Sequence, residues 1–333
     1  MPNQASTSSF VTSIASEIKK GTVENGRVYA AYGNHEYGLP VDDYELDRLD
    51  MNHQKYTLLQ GNRLFLAPIT PTPQKILDLG TGTGTTWCAL VLLTCSSLVK
   101  GIFAIDIADM YPSAKVIGTD IAPVQPQWVP TNCQFEIEDA EDEWTFQKND
   151  FDYIHGRDFY QSIRDWRRLV QQSYDHLKPG GYLELACVYP VPRCDDETLP
   201  QDCAYVEVCQ TFQEIGAKME ADPDAPLHFH EHMREAGFAN VSQTILKIPT
   251  SPWPKDRRLK KVGALELMNL MEGAQGFLLR GYTKEFGRTR EELELLLMRM
   301  RKELTTQKYH SYVSFYVVYG QKPEDKSQSA EDI

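Results

Sequence analysis

Gly80, Gly82 and Gly84 stand at alternate positions directly after the apolar run Ile76, Leu77 and Leu79. Asp78 interrupts that run near its carboxyl end, where open α/β sheets place their ligands. Glycines at this spacing permit backbone angles and close approaches that a Cβ forbids, so the loop, with Thr81 inside it, reads as a cofactor loop. The dinucleotide pattern GxGxxG requires glycine where Thr85 stands, which weakens a nicotinamide or flavin reading. An acid closing the next strand is the residue type that takes ribose hydroxyls, and Asp120 closes KVIGTD ahead of Ile121. A third strand, 133–137, leads to Glu138, Asp139 and Ala140. A fourth, 151–155, ends at His155, Gly156 and Arg157. Imidazole titrates near neutrality, so His155 is the candidate general base, with backbone hydrogen bonding as the other use of the ring. Asp158 and Tyr160 follow as candidates for lining a substrate site.

Strands and helices must position these groups. Short apolar runs of this kind suit the central strands of a parallel sheet. The spacing of Trp166, Leu169, Val170, Ser173, Tyr174 and Leu177 predicts a helix with one apolar face, capped by Ser162 and ended by Lys178, Pro179, Gly180 and Gly181. Strands are expected at 182–188, 241–248 and 312–318, and helices at 206–219 and 257–271. Thr289 and Glu292 form a capping box ahead of Leu293, Leu296, Leu297, Met300 and Leu304. Before the glycine loop, Leu46, Leu49, His53, Tyr56 and Leu59 recur at helical spacing. The histidines at 228, 230 and 232 fall on a predicted helix start without the HExxH pattern of a metal site.

The DxGxGxG form resembles motif I of class I S-adenosylmethionine-dependent methyltransferases. The order of glycine loop, acidic strand end, Asp-Ala turn, fourth strand and KPGG corner resembles that family as well. More closely, residues 27 to 320 resemble the fungal LaeA-like, or TAM-domain, methyltransferases. The marks are Arg27, Tyr29 and Tyr32 with YGLP at 37–40, DRLD at 47–50, LAPI at 66–69, and GTDIAPVQPQWVPTNCQFEIEDAEDEWTF at 118–146. The resemblance implies a Rossmann-like α/β fold with a seven-stranded, mostly parallel sheet, helices on both faces and a helical cap. It implies S-adenosyl-L-methionine held by Tyr29, Asp78, Gly80, Thr81, Gly82, Gly84, Asp120, Ile121, Asp139, Ala140 and His155. It implies methyl transfer to oxygen or nitrogen of a small organic molecule, in fungal secondary metabolite biosynthesis, near Tyr32, Arg157, Tyr160, Met268 and Met271. The alternative it carries is a nuclear regulator of secondary metabolism acting through protein partners. Tyr29 and Tyr32 either close over the cofactor, meeting its sulfonium by cation–π contact, or pack the amino-terminal helix. Met268 and Met271 either form an adaptable apolar wall or are core.

The expected organisation is a disordered leader over 1–26, a helical lid segment over 27–70 and the cofactor-binding core over 71–248. A helical cap over 249–306, the last strand over 307–321 and a disordered tail over 322–333 complete it. One departure stands out. Gly84 and Asp120 lie 36 positions apart, against about 20 for the usual loop-to-acid distance. Residues 86–103 are apolar and without an acid, and read either as a translated intron or as an extension of the first helix.

Bulk properties fit an intracellular enzyme. At 333 residues and 41% hydrophobic content the chain can bury a large core. A net charge of −13 opposes a nucleic-acid partner, since phosphate binding needs a clustered positive field. No run is long enough for a membrane helix, and the amino-terminal segment lacks a signal-peptide pattern. Seven cysteines without paired spacing suit reduced thiols and no metal. A cytoplasmic location follows, with KDRRLKK at 255–261 as the feature favouring the nucleus.

Overall fold

The computed structural model describes residues 20–33, 35–82, 103–126 and 128–324. A small antiparallel pair, β1 (Thr22–Glu24) and β2 (Arg27–Tyr29), leads to helix α1 (Asp43–Leu59), capped by the Asp42 carboxylate on Glu45 N. The sheet then begins with β3 (Lys75–Leu79), followed by α2 (Phe103–Met110), β4 (Lys115–Asp120), β5 (Cys133–Ile137) and β6 (Phe151–Arg157). Helix α3 (Trp166–His176) turns into β7 (Leu177–Cys194). Helices α4 (Ala204–Lys218) and α5 (Ala225–Glu235) precede β8 (Ala239–Pro249). Helices α6 (Arg257–Lys284) and α7 (Arg290–Thr305) precede β9 (Ser311–Gln321).

Seven strands run in the order β5-β4-β3-β6-β7-β9-β8, parallel from β5 to β7, with β9 antiparallel to both of its neighbours. From β3 the chain winds outward through β4 and β5, then returns to lay β6 on the other side of β3. The carboxyl ends of β3 and β6 therefore flank a switch point, which is where such sheets open a ligand crevice.

Each face of the sheet is covered, as the unbroken apolar strands require. On one face Leu77, Ile154 and Leu183 meet Trp166, Leu169 and Val170 of α3 and Phe229 and Met233 of α5. On the other, Ile76, Val116 and Tyr153 meet Ala104 and Ile107 of α2. Tyr56 of α1 stacks on Phe315 of β9 at 4.5 Å, joining α1 to the antiparallel end of the sheet. Helices α4, α6 and α7 share a separate core, and the capping box of Thr289 and Glu292 at the start of α7 is present.

Three local expectations are corrected. Helix α3 is capped by Asp165, whose carboxylate accepts from Arg168 N at 2.9 Å, and not by Ser162, whose amide closes a turn on Phe159 O. Helix α6 continues to Lys284, well past Met271. Gly273 beyond it is a contact point: a Cβ there would meet Arg48 Cδ at 2.4 Å, so glycine lets α6 approach α1 closely. Finally, the helix standing over the sheet's carboxyl ends is α1, with α6 behind it. The α1–α6 seam is a buried ionic network. Arg48 binds Glu45 at 2.5 Å and Asn269 at 2.7 Å, and Lys55, 1% exposed, binds Glu266 at 2.5 Å.

Candidate cofactor and acceptor cleft

The loop after β3 is held from below. Asp78 is buried, with Oδ1 against His155 Nδ1 at 2.8 Å and Oδ2 accepting from the Thr81 hydroxyl at 2.8 Å. Thr81 N is tied to Thr119 O on β4 at 2.9 Å. Gly80 has a φ of +57°, and a Cβ there would strike the Phe159 ring at 2.6 Å. Glycine is thus required both by the backbone angle and by the close approach of the segment after β6. Gly84 lies outside the described residues, as do residues 86–102 of the long separation. Phe103 is buried and stacks on His155 at 3.6 Å.

Asp120 closes β4. Its two carboxylate oxygens accept from Gly82 N at 2.8 Å and Ala122 N at 3.0 Å, linking the glycine loop to the second strand. Desolvation pushes this carboxyl up to about 6, although the backbone donors act against the shift. At the end of β5, Asp139 Oδ1 accepts from Glu141 N at 3.0 Å. Asp78, Gly80, Thr81, Gly82, Asp120, Ile121, Asp139, Ala140, His155 and Arg157 all line one cleft at the switch point. Ten residues drawn from four strand ends thus converge there.

His155 is 2% exposed. Burial lowers its pKa in spite of Asp78, so near neutral pH the ring is uncharged and donates its Nδ1–H to Asp78 Oδ1. A second histidine, His53 on α1, lies beside it in role. Arg157 donates to His53 Nδ1 at 3.0 Å, which leaves His53 Nε2–H to donate to Asp106 Oδ2 at 2.9 Å. That chain fastens α1 to β6 and α2.

The remaining predicted residues fall elsewhere. Tyr29 is fully buried beneath the Arg280 guanidinium, 4.5 Å from its ring, and does not line the cleft; it packs the amino-terminal segment. Tyr32 stands near the acidic turn after β5, where burial and then Asp142 and Asp139 push its hydroxyl up. Tyr160 faces a second, small cavity with Cys187 and Phe212, its hydroxyl 3.5 Å from that of Tyr56. Met268 is 45% exposed and Met271 packs into the α4–α6–α7 core, so neither forms a wall of the cleft. Instead α1 supplies the roof, through Leu46, Leu49, Asn52 and Tyr56, and Tyr37 closes one side. Spacing marked α1 as a helix; that its polar Asn52 and its Tyr56 line the cleft required the sheet's topology.

The chain is similar to known proteins over most of its length. A family described as a methyltransferase domain matches residues 51–243. The methyltransferase pytC of Aspergillus terreus is 36% identical over 322 residues, covering 95% of this chain and 93% of its own. The secondary metabolism regulator LAE1 of Cochliobolus heterostrophus is 30% identical, covering 91% of this chain and 95% of its own. Among solved structures, phosphoethanolamine N-methyltransferase 2 of Haemonchus contortus, in complex with S-adenosyl-L-methionine, aligns with a TM-score of 0.43 at 17% identity, over 83% of this chain and 57% of that one.

Proposed function

The chain belongs to the LaeA-like class I S-adenosylmethionine-dependent methyltransferases, and from that premise we propose that its cleft methylates oxygen or nitrogen of a small organic molecule in fungal secondary metabolism. The observation that carries the reading is the convergence of the glycine loop, Asp120 and the Asp139–Ala140 turn on one crevice. The cleft fits the cofactor. Among the described residues, a Cβ on Gly82 would meet only Leu49 Cδ1, at 4.0 Å, which leaves room beside this part of the loop. Asp120 would accept the ribose hydroxyls, the Asp139–Ala140 turn would take the adenine edge, and Asp78, Gly80, Thr81 and Gly82 would hold the aminoacyl end.

When bound, S-adenosyl-L-methionine supplies a methyl group on a sulfonium centre. The chain's own residues bind, orient and exclude water, and positioning of this kind accounts for much of the acceleration of such reactions. Asp78, oriented by His155, fixes one end of the cleft. Asn52, Tyr56 and Arg157 border the place left for the acceptor.

The 30% identity to a protein named as a secondary metabolism regulator favours a second reading, regulation through protein partners. Among the described residues no helix is long and apolar enough to cross a membrane. We place the protein in the cytoplasm for the enzymatic reading. The exposed basic start of α6 favours the nucleus for the regulatory one.

The test is a metabolite profile of a strain lacking the gene beside its parent. The enzymatic reading expects one compound family to lose a methyl while keeping its scaffold. A broad fall of unrelated metabolites, with no demethylated compound accumulating, would favour regulation.

A further inference from the structure

The acceptor end of the cleft carries polar atoms that the cofactor residues leave unused. Asp158 follows β6 with a φ of +59°, an angle that Asp and Asn adopt more readily than other side chains, and its amide is tied to Ala186 O at 2.9 Å. Because the next residue, Phe159, lies against Gly80, Asp158 is held at the lip of the glycine loop. Its Oδ1 is buried and has no hydrogen-bond partner among the described residues. The same is true of Oδ1 of Asn52, which is 5% exposed and faces the same cleft from α1. Leaving a buried acceptor unpaired costs about 1–3 kcal/mol, so two of them in one cleft point to a ligand that brings donors. Burial first, then the charge of the Asp158 carboxylate and a hydrogen bond between the Tyr56 hydroxyl and that carboxylate, hold the Tyr56 hydroxyl well above its ordinary range, so that Oδ1 is the carboxylate oxygen left open. Tyr56 therefore stays protonated and cannot be the base.

We propose that Asp158 binds the methyl acceptor through an acceptor O–H or N–H and takes its proton, with Asn52 receiving a second donor of the same molecule. The substrate class is a neutral phenol, alcohol or amine-type compound that presents a hydrogen to be lost. In the step, the acceptor's O–H or N–H bond breaks and an Oδ1–H bond forms on Asp158. The electron pair stays on the acceptor atom, which bonds the methyl carbon as the pair of the departing carbon–sulfur bond remains on sulfur. Asp158 later releases the proton to water. The inference rests on the methyltransferase reading.

Its test uses the full chain loaded with S-adenosylhomocysteine and two probes, 4-fluorophenol and 4-fluoroanisole, followed by fluorine NMR. The two share a ring and differ in the donor. The expected result is at least about tenfold tighter binding of the phenol, lost in Asp158→Asn while calorimetric S-adenosylhomocysteine affinity is unchanged. Asparagine keeps the shape and tolerates the backbone angle. Absence of any preference for the phenol in the loaded wild-type protein, or an undiminished preference in Asp158→Asn, overturns the proposal. Failure of the wild-type chain to bind S-adenosylhomocysteine at all would instead overturn the methyltransferase reading beneath it.

Discussion

Asp78 and His155 are direct partners across the parallel pair of β3 and β6, and their side chains meet at 2.8 Å on the crevice side of the sheet. With Nδ1–H committed to Asp78 and the ring face covered by Phe103, we propose that His155 acts through Asp78 as a positioning residue. Its residue type alone leaves two uses open, general base or hydrogen-bonding partner. His155→Gln is expected to weaken S-adenosylhomocysteine binding by about 10- to 100-fold, the worth of a hydrogen bond to a charged group. Calorimetry checks this. Unchanged cofactor affinity with lost turnover would return His155 to the role of base.

Asp120 gives cofactor binding a pH dependence. Its carboxyl titrates at about 6 in the fold against an ordinary 3.8, because burial disfavours the charged form. The ionised form offers the most acceptor capacity to ribose hydroxyls, so S-adenosylhomocysteine affinity should fall as pH drops through about 6. Calorimetry across that range checks the slope. Asp120→Asn should bind more weakly at neutral pH and lose this pH dependence.

The succession of strands and the crevice were legible because β3 to β6 are short runs with distinctive ends, and because Asp78, Asp120 and Asp139 each sit at or just beyond such an end. The lid helix Asp43–Leu59 was legible from its spacing, but its buried polar face was not. Helix α1 buries Glu45, Arg48, Asn52, His53 and Lys55, residues that normally mark a solvated face, and the partners of Lys55, Arg48 and His53, namely Glu266, Asn269 and Asp106, come from distant helices. Of the two uses open to Met268 and Met271, core packing is the one found for Met271, while Met268 is exposed; helical spacing identifies a stripe without saying which element it meets.

That buried seam is sensitive to half-removal. Glu266→Ala leaves the Lys55 ammonium buried without its carboxylate and should cost about 3–5 kcal/mol in denaturant unfolding. The double variant Lys55→Met with Glu266→Leu should be much closer to wild type. Equal losses in the two would mean that the side-chain volumes, and not the charges, hold α1 to α6.

Glu184 on β7 accepts from Leu66 N at 2.8 Å and Ala67 N at 2.6 Å, yet burial pushes its carboxyl up to about 7 from 4.5. The folded state then holds a proton that the unfolded chain has released. Its contribution is fully present below pH 4.5 and is lost as pH rises through about 7, a change of about 3 kcal/mol. Urea unfolding at intervals across this window should show wild type losing stability relative to Glu184→Gln as pH rises. Parallel pH profiles would contradict this account of Glu184.

The central claim, that the crevice at the β3–β6 switch point is an S-adenosylmethionine site, is tested most directly by calorimetric titration of S-adenosylhomocysteine into the purified full-length chain and into Asp120→Ala. The account predicts saturable one-to-one binding by the wild-type chain, weakened at least about tenfold by the substitution with the fold intact by circular dichroism. Absence of binding to the folded wild-type chain, or equal binding by both proteins, would contradict it.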